Sequence, residues 1–246
     1  KFTPRIADTA RVIWVSYALL GLACTLAYHA AGMSWVDAFL HMCTTISLGG
    51  FSRYDASFGH WDSPAIEAVA IVFMLLAGVN LVLYFVAWRG RSPAPLLRNI
   101  EVQAFVGVLA GSIALIAVYL TFNGAYPDFW QSLRHTAFHV VSIATTTGYA
   151  AYDYAQWPLF APLLMILLGC FATCAGSTGG GIKMIRMILL LKQSRRELIR
   201  IVHPHAVTPV VLGGTAVGER VMHSVIAYMM MYGASLVTLT MLLLFS

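Results

Sequence analysis

The chain has 246 residues, 59% hydrophobic and only 10% charged. A soluble domain carries about 25% charged residues, and a disordered one needs low hydrophobicity with high charge, so the composition excludes both. A mean hydropathy of +0.78 and long apolar runs point to an integral membrane protein. The net charge of +5 sits in short stretches between those runs; cytoplasmic loops carry charge in this way, and no nucleic-acid partner is expected.

In chain order, Thr9 to Ala31 is the first expected span, long enough to cross a hydrocarbon core of about 30 Å. Ser34, a good N-cap residue, precedes an apolar stretch to Ile46 that is too short to span and suits a re-entrant half-helix. Leu48-Gly49-Gly50-Phe51 breaks it, and a polar loop runs to Ser63. Pro64 then opens one expected span from Ala65 to Trp88. A basic loop follows from Arg89 to Arg98, then a span from Val102 to Phe122 and a turn cluster from Asn123 to Asp128. Phe129 to Thr145 is a second short helix, broken by Thr146-Thr147-Gly148-Tyr149. Pro158 opens an apolar run expected to reach Thr173, which Ala175-Gly176-Ser177-Thr178-Gly179-Gly180-Gly181 interrupts. Ile182 to Leu191 resumes a helix, Gln193 to His205 is basic, and Glu219 to Phe245 is the last span. The four cysteines lie in apolar segments and read as small packing residues. The chain starts at Lys1 and ends inside an apolar run, so it is expected to be a piece of a longer polypeptide.

The order span, short helix, glycine break, polar loop, proline, span occurs twice. A shift of 98 residues superposes His41 on His139, Gly50 on Gly148, Phe51 on Tyr149, Tyr54 on Tyr152 and Asp55 on Asp153. The fold class expected is therefore an all-α polytopic membrane protein of repeated span, re-entrant helix, span units. Of the 15 Lys and Arg, 13 fall in the N-terminus, the 89–98 loop or the 183–220 region. The positive-inside rule makes those sides cytoplasmic and turns the glycine breaks outward.

Irregular backbone at membrane depth is tolerated only where it is buried in protein or lines water. Two breaks at equivalent positions imply a lined pathway. Each short helix directs its C-terminal carbonyls, with about half a negative charge, toward that pathway. Backbone carbonyls after the break can replace an ion's hydration shell, and glycine permits the angles this needs. The residues themselves thus point to a cation pore or transporter.

Thr145-Thr146-Thr147-Gly148-Tyr149 is similar to a potassium-channel filter strand with one glycine. With the repeat and the stretch from Cys174 to Lys183, the whole chain resembles the Trk/Ktr/HKT superfamily of potassium transporters, the bacterial Trk-type membrane subunits above all. That resemblance implies four units around one pore. Residues 1–88 would be the second unit, 89–98 a cytoplasmic basic loop and 99–192 the third unit with a broken second span. Residues 193–218 would be a cytoplasmic basic linker, and 219–246 the first span of a truncated further unit. It implies filter positions at Leu48, Gly49 and Gly50 and at Thr146, Thr147 and Gly148, with potassium held by their backbone carbonyls. Ala175, Gly176, Ser177, Thr178, Gly179, Gly180 and Gly181, with Lys183 just past them, would form an intramembrane gating loop. Gated potassium uptake across the bacterial inner membrane is the implied function. A homodimer, membrane lipids and a cytosolic nucleotide-binding regulatory subunit (TrkA-like) are the implied partners, and residues 192–205 the candidate contact for that subunit. A less selective sodium/potassium transporter and a non-conducting scaffold are the alternatives.

Plainer readings stand beside these. The glycine-rich stretch could be a helix kink; it lacks the spacing of a phosphate-binding loop and follows an apolar helix. His41 and His139 suit packing or a bond to nearby backbone better than pH sensing. Asp55 and Asp153 suit loop caps or ion attraction. Lys183 suits either a charge at a closed gate or a snorkelling side chain. No metal-ligand cluster or activated nucleophile is evident, so an enzyme is not expected.

Overall fold

The structure, a computed structural model, describes residues 6–203 and 208–245. Lys1 and Arg5 of the expected basic N-terminus, 204–207 of the basic stretch, and Ser246 lie outside the described residues. The chain folds as two units, Lys1–Gly181 and Ile182–Ser246.

The first unit holds α1 (Ile6–Ala30), α2 (Trp35–Ile46), α3 (Pro64–Ala77), α4 (Leu81–Arg89), α5 (Ala94–Leu97), α6 (Ile100–Phe122), α7 (Phe129–Ala144) and α8 (Phe160–Gly169). Short 3-10 turns lie at Ser57–His60 and Tyr154–Gln156. The second unit holds α9 (Met184–Val202), a hairpin of β1 (Val211–Leu212) and β2 (Thr215–Ala216), and α10 (Glu219–Phe245). Parts of α1 and the whole of α6 and α10 are long and apolar enough to cross a membrane. The protein is an all-α, multi-pass membrane protein, with the short α2 and α7 each following a span.

Local chemistry sets the helix starts. Ser34 accepts a hydrogen bond from the Asp37 N–H at 3.1 Å and donates to its carboxylate at 2.7 Å, fixing the first turn of α2. Asn99 accepts from the N–H groups of Glu101 and Val102 at 2.9 and 3.2 Å, opening α6 the same way. Phe58, Phe138, Tyr28, Tyr149 and Met74 share one buried core between the two repeats.

The structure departs from the sequence reading in four places. The run Ala65–Trp88 is not one continuous helix: α3 and α4 meet at Gly78–Asn80 with an 87° bend. Gly78 lets the end of α3 approach α6, where a Cβ would stand 2.9 Å from the Phe105 ring. Asn80 then caps a new helix by accepting from the Val82 N–H at 2.9 Å. The interruption after α8 begins at Cys170, before Ala175, because the helix tightens into i→i−3 bonds from Cys170 to Leu167 and Phe171 to Leu168. The expected linker boundary at 192/193 falls inside α9, whose Leu, Lys, Gln, Arg and Glu residues are good helix formers with no Gly or Pro. Further on, Gly213 and Gly214, both at positive φ, turn the hairpin that interrupts the helical plan.

One ion-pair cluster ties α3 to α7. Arg134 donates to both carboxylate oxygens of Glu67 at 2.8 and 2.7 Å, and to Asp62 at 2.9 Å. Glu67 is only 2% exposed, so removing its partner leaves a buried charge unpaired, a loss of about 3 kcal/mol or more. Arg134→Met is expected to lower the thermal unfolding temperature of the purified protein far more than Asp62→Asn does. Equal, small shifts would show that the pair does not hold the helices.

Candidate functional site

Both short helices end in the same way. The N–H of Leu48 donates to Thr45 at 3.2 Å, and those of Gly49 and Gly50 donate to Thr44 at 2.8 and 3.4 Å. Ninety-eight residues on, the N–H of Thr146 donates to Ile143 at 3.0 Å, and those of Thr147 and Gly148 donate to Ser142 at 2.8 and 3.2 Å. Leu48 and Thr146 take φ of 54° and 63°, and Gly50 and Gly148 take 66° and 87°, while the residue between each pair does not. A trans peptide points its carbonyl opposite its N–H. With three successive N–H groups turned onto the helix end, the carbonyls of Leu48 and Gly49, and of Thr146 and Thr147, point away from it together. A bulky residue at positive φ costs about 1–3 kcal/mol, and such strain collects at functional sites.

The two segments converge. A Cβ on Gly50 would overlap the Thr147 carbonyl oxygen and stand 3.2 Å from the Gly148 carbonyl carbon. His41 and His139 brace the chain beyond the breaks. Each Nδ1 donates to the carbonyl four residues earlier at 2.8 Å, and each Nε2 faces the following loop, at Ser52 and at Tyr152. Tyr149 reaches across from the second segment into α2. Its hydroxyl donates to the His41 carbonyl at 3.1 Å and bonds the hydroxyls of Thr44 and Thr45.

The glycine-rich loop lies against the inner ends of both segments. Thr178 donates to the Ile46 carbonyl at 2.8 Å, and the Gly180 N–H donates to the Thr146 hydroxyl at 2.8 Å. A Cβ on Gly179 would meet Thr173, the Thr145 carbonyl and the Leu48 side chain at 2.6, 3.0 and 3.1 Å. Leu48 therefore touches the loop with a methyl group where Thr146 uses a hydroxyl. The break in the other span closes the arrangement: Cys174 N–H donates to Gly78 at 3.0 Å, and Leu81 N–H to Gly176 at 3.2 Å. Ala175 N–H donates to the buried Glu101 carboxylate at 2.7 Å. Ser177 donates back to Cys174 at 2.6 Å, and Gly181 at φ 82° passes close to the Cys170 carbonyl. Lys183, at φ 77°, stands in the second unit and opens α9.

Residues 1–244 match the family model described as TrkH, a cation transport protein. The chain belongs to the TrkH family. It is 43% identical over 232 residues to the Trk system potassium uptake protein TrkH of Halomonas elongata, and 42% identical to that of Escherichia coli strain K12. Each alignment covers 94% of this chain and 48% of the relative, so the chain spans about half the length of the curated relatives it matches. The crystal structure of the potassium transporter TrkH from Vibrio parahaemolyticus superposes with a TM-score of 0.92 at 38% identity, covering 96% of this chain and 51% of that one. The TrkH fold thus accounts for the re-entrant α2 and α7 and for the broken spans.

Structure brings together the two glycine breaks and the loop Ala175–Gly181. It also brings in residues the sequence reading passed over in this TrkH-type site: Glu101 and Asn80 on the loop, and the Tyr149 hydroxyl on α2. Asn80 and Glu101 carried a faint signal, an Asn inside one apolar run and a lone acid at the edge of another; the tyrosine stood in the filter-like motif, but nothing there directed its hydroxyl to α2. Asp153 accepts from the Ala155 N–H at 3.1 Å and caps the 3-10 turn that follows. Tyr149→Phe removes one hydroxyl from three partners, of which His41 and Thr45 are buried, at a cost of about 1–3 kcal/mol. Its unfolding temperature in detergent is expected to fall clearly below that of the parent; an unchanged value would mean that Tyr149 does not join the repeats.

Proposed function

We propose that this chain forms part of a gated potassium uptake pathway, with the ion held by the carbonyls of Leu48, Gly49 and Gly50 and of Thr146, Thr147 and Gly148. The observation that carries this reading is the paired, converging turn of the Leu48, Gly49, Thr146 and Thr147 carbonyls away from two helix C-termini. Carbonyl dipoles replace water around a cation, and the helix ends add partial negative charge. The names of the relatives, potassium uptake proteins of the Trk system, support potassium as the cargo. Ala175 to Gly181 serves as the gate. Its bonds to Ile46 and Thr146, at the ends of both segments, support that role, and its four glycines make a rigid helix there cost about 1 kcal/mol each. Lys183 lends its charge to the cytoplasmic side of that gate. In the bacterial inner membrane the complete protein works as a homodimer, among membrane lipids, with a nucleotide-binding TrkA-like subunit on its cytoplasmic face; the basic loops and the Trk-system names of the relatives favour this assembly.

Rubidium and sodium uptake by the full-length protein in liposomes tests the reading. Gly50→Ser and Gly148→Ser are expected to erode rubidium-over-sodium preference, Gly50→Ser more, because its Cβ also meets Thr147. Deleting Ser177 to Gly180, or Glu101→Gln, is expected to raise flux with that preference kept. Unaltered preference in both glycine variants would sink the filter. Loss of preference in the loop variants would make the loop a support for the filter and not a gate.

A further inference from the structure

The second unit carries a cavity that the pathway does not use. About 270 Å³ in volume, it lies between α9 and the segment entering β1, lined by Lys192, Arg195, Arg196 and Thr208 over a floor of Ile199 and Val210. Three cationic residues line this space, and no acid does among the described residues. Glu197 and Glu219 stand off from Arg196 at 3.5 and 3.7 Å, too far for close hydrogen bonds. Arg196 has only 13% of its side chain exposed. Its Nε, and the Thr208 hydroxyl, are buried without a hydrogen-bond partner among the described residues. A buried donor left unmade is costly, more so on a charged group. Lys192 is held at the rim by one bond to the Val211 carbonyl at 2.7 Å, which leaves its ammonium two further donors.

We propose that this cavity is a phosphate-binding site. A phosphate group offers acceptors in several directions to a guanidinium fork, an ammonium and a hydroxyl at once. The space exceeds what bare phosphate needs, so it admits a phosphate ester. That ester is either the headgroup of an anionic phospholipid in the cytoplasmic leaflet or a soluble phosphate compound. Exposed Leu191 and Leu198 bracket Arg195 at helical spacing on α9, an arrangement that suits the membrane interface. The site stands apart from the filter reading and does not depend on it.

The test uses the full-length protein in phosphatidylcholine nanodiscs, with phosphatidylglycerol or inorganic phosphate added, read by native mass spectrometry and thermal shift. The parent protein is expected to retain phosphatidylglycerol over phosphatidylcholine. The double variant Lys192→Gln with Arg196→Gln should lose that retention by about tenfold. Thr208→Val, which keeps every charge, should weaken it by a smaller factor and covers the case of a misfolded double variant. Phospholipid retention that inorganic phosphate does not compete supports the site with the membrane as source. Protection by inorganic phosphate, lost in the variants, supports it with a soluble source. Equal binding of both probes by parent and variants overturns the proposal. So does a double variant that keeps both probes but sheds a co-purifying regulatory protein, since the surface is then a protein dock.

Discussion

The peptide groups at 47–50 and 145–148 stand where helices stop inside a membrane protein, where irregular backbone persists only if it is buried in protein or lines water. Their N–H groups return to Thr44, Thr45, Ser142 and Ile143, and that return fixes everything else. It drives Leu48 and Thr146 into left-handed conformation, turns the carbonyls outward as a set, and leaves a narrow junction that only Gly50 fits. The other two breaks solve the same problem by bonding to each other, Cys174 to Gly78 and Leu81 to Gly176. Four interruptions that would each be costly alone are satisfied jointly.

The repeat is kept in its backbone and varied in its side chains. Thr44 donates to the Phe51 carbonyl and Ser142 to the Tyr149 carbonyl, the same bond 98 residues apart. Yet Tyr149 is buried in α2 while Phe51 is 78% exposed. Asp37 binds Arg53, whereas its counterpart His135 stacks on Tyr126. On the inner side Leu48 and Thr146 touch the same loop by different chemistry. The backbone turn tolerates such exchange because its N–H and carbonyl groups belong to every residue.

Much of this was legible in the residues. The lengths of α1, α2 and α7, the Ser34 cap and the glycine breaks follow from hydropathy, capping and the repeat. The bend at Gly78–Asn80 was hidden because two signal residues lay inside a long apolar run, where composition outweighs them. The extension of α9 was hidden because its charge suggested a solvated linker, although the same residues favour helix. The left-handed Leu48 and Thr146 could not be read at all. Neither residue type favours that conformation, and only the tertiary return of their N–H groups selects it. The anchoring of the loop by Glu101 was likewise a matter of long-range geometry.

In the proposed filter, backbone carbonyls of two converging segments hold the cation. Anomalous diffraction from crystals of the full-length protein soaked with thallium or rubidium tests it most directly. Ion density is expected within direct coordination distance of the carbonyls of Leu48, Gly49, Thr146 and Thr147. Ordered ions bound instead to side-chain oxygens, with none beside those carbonyls, would contradict it.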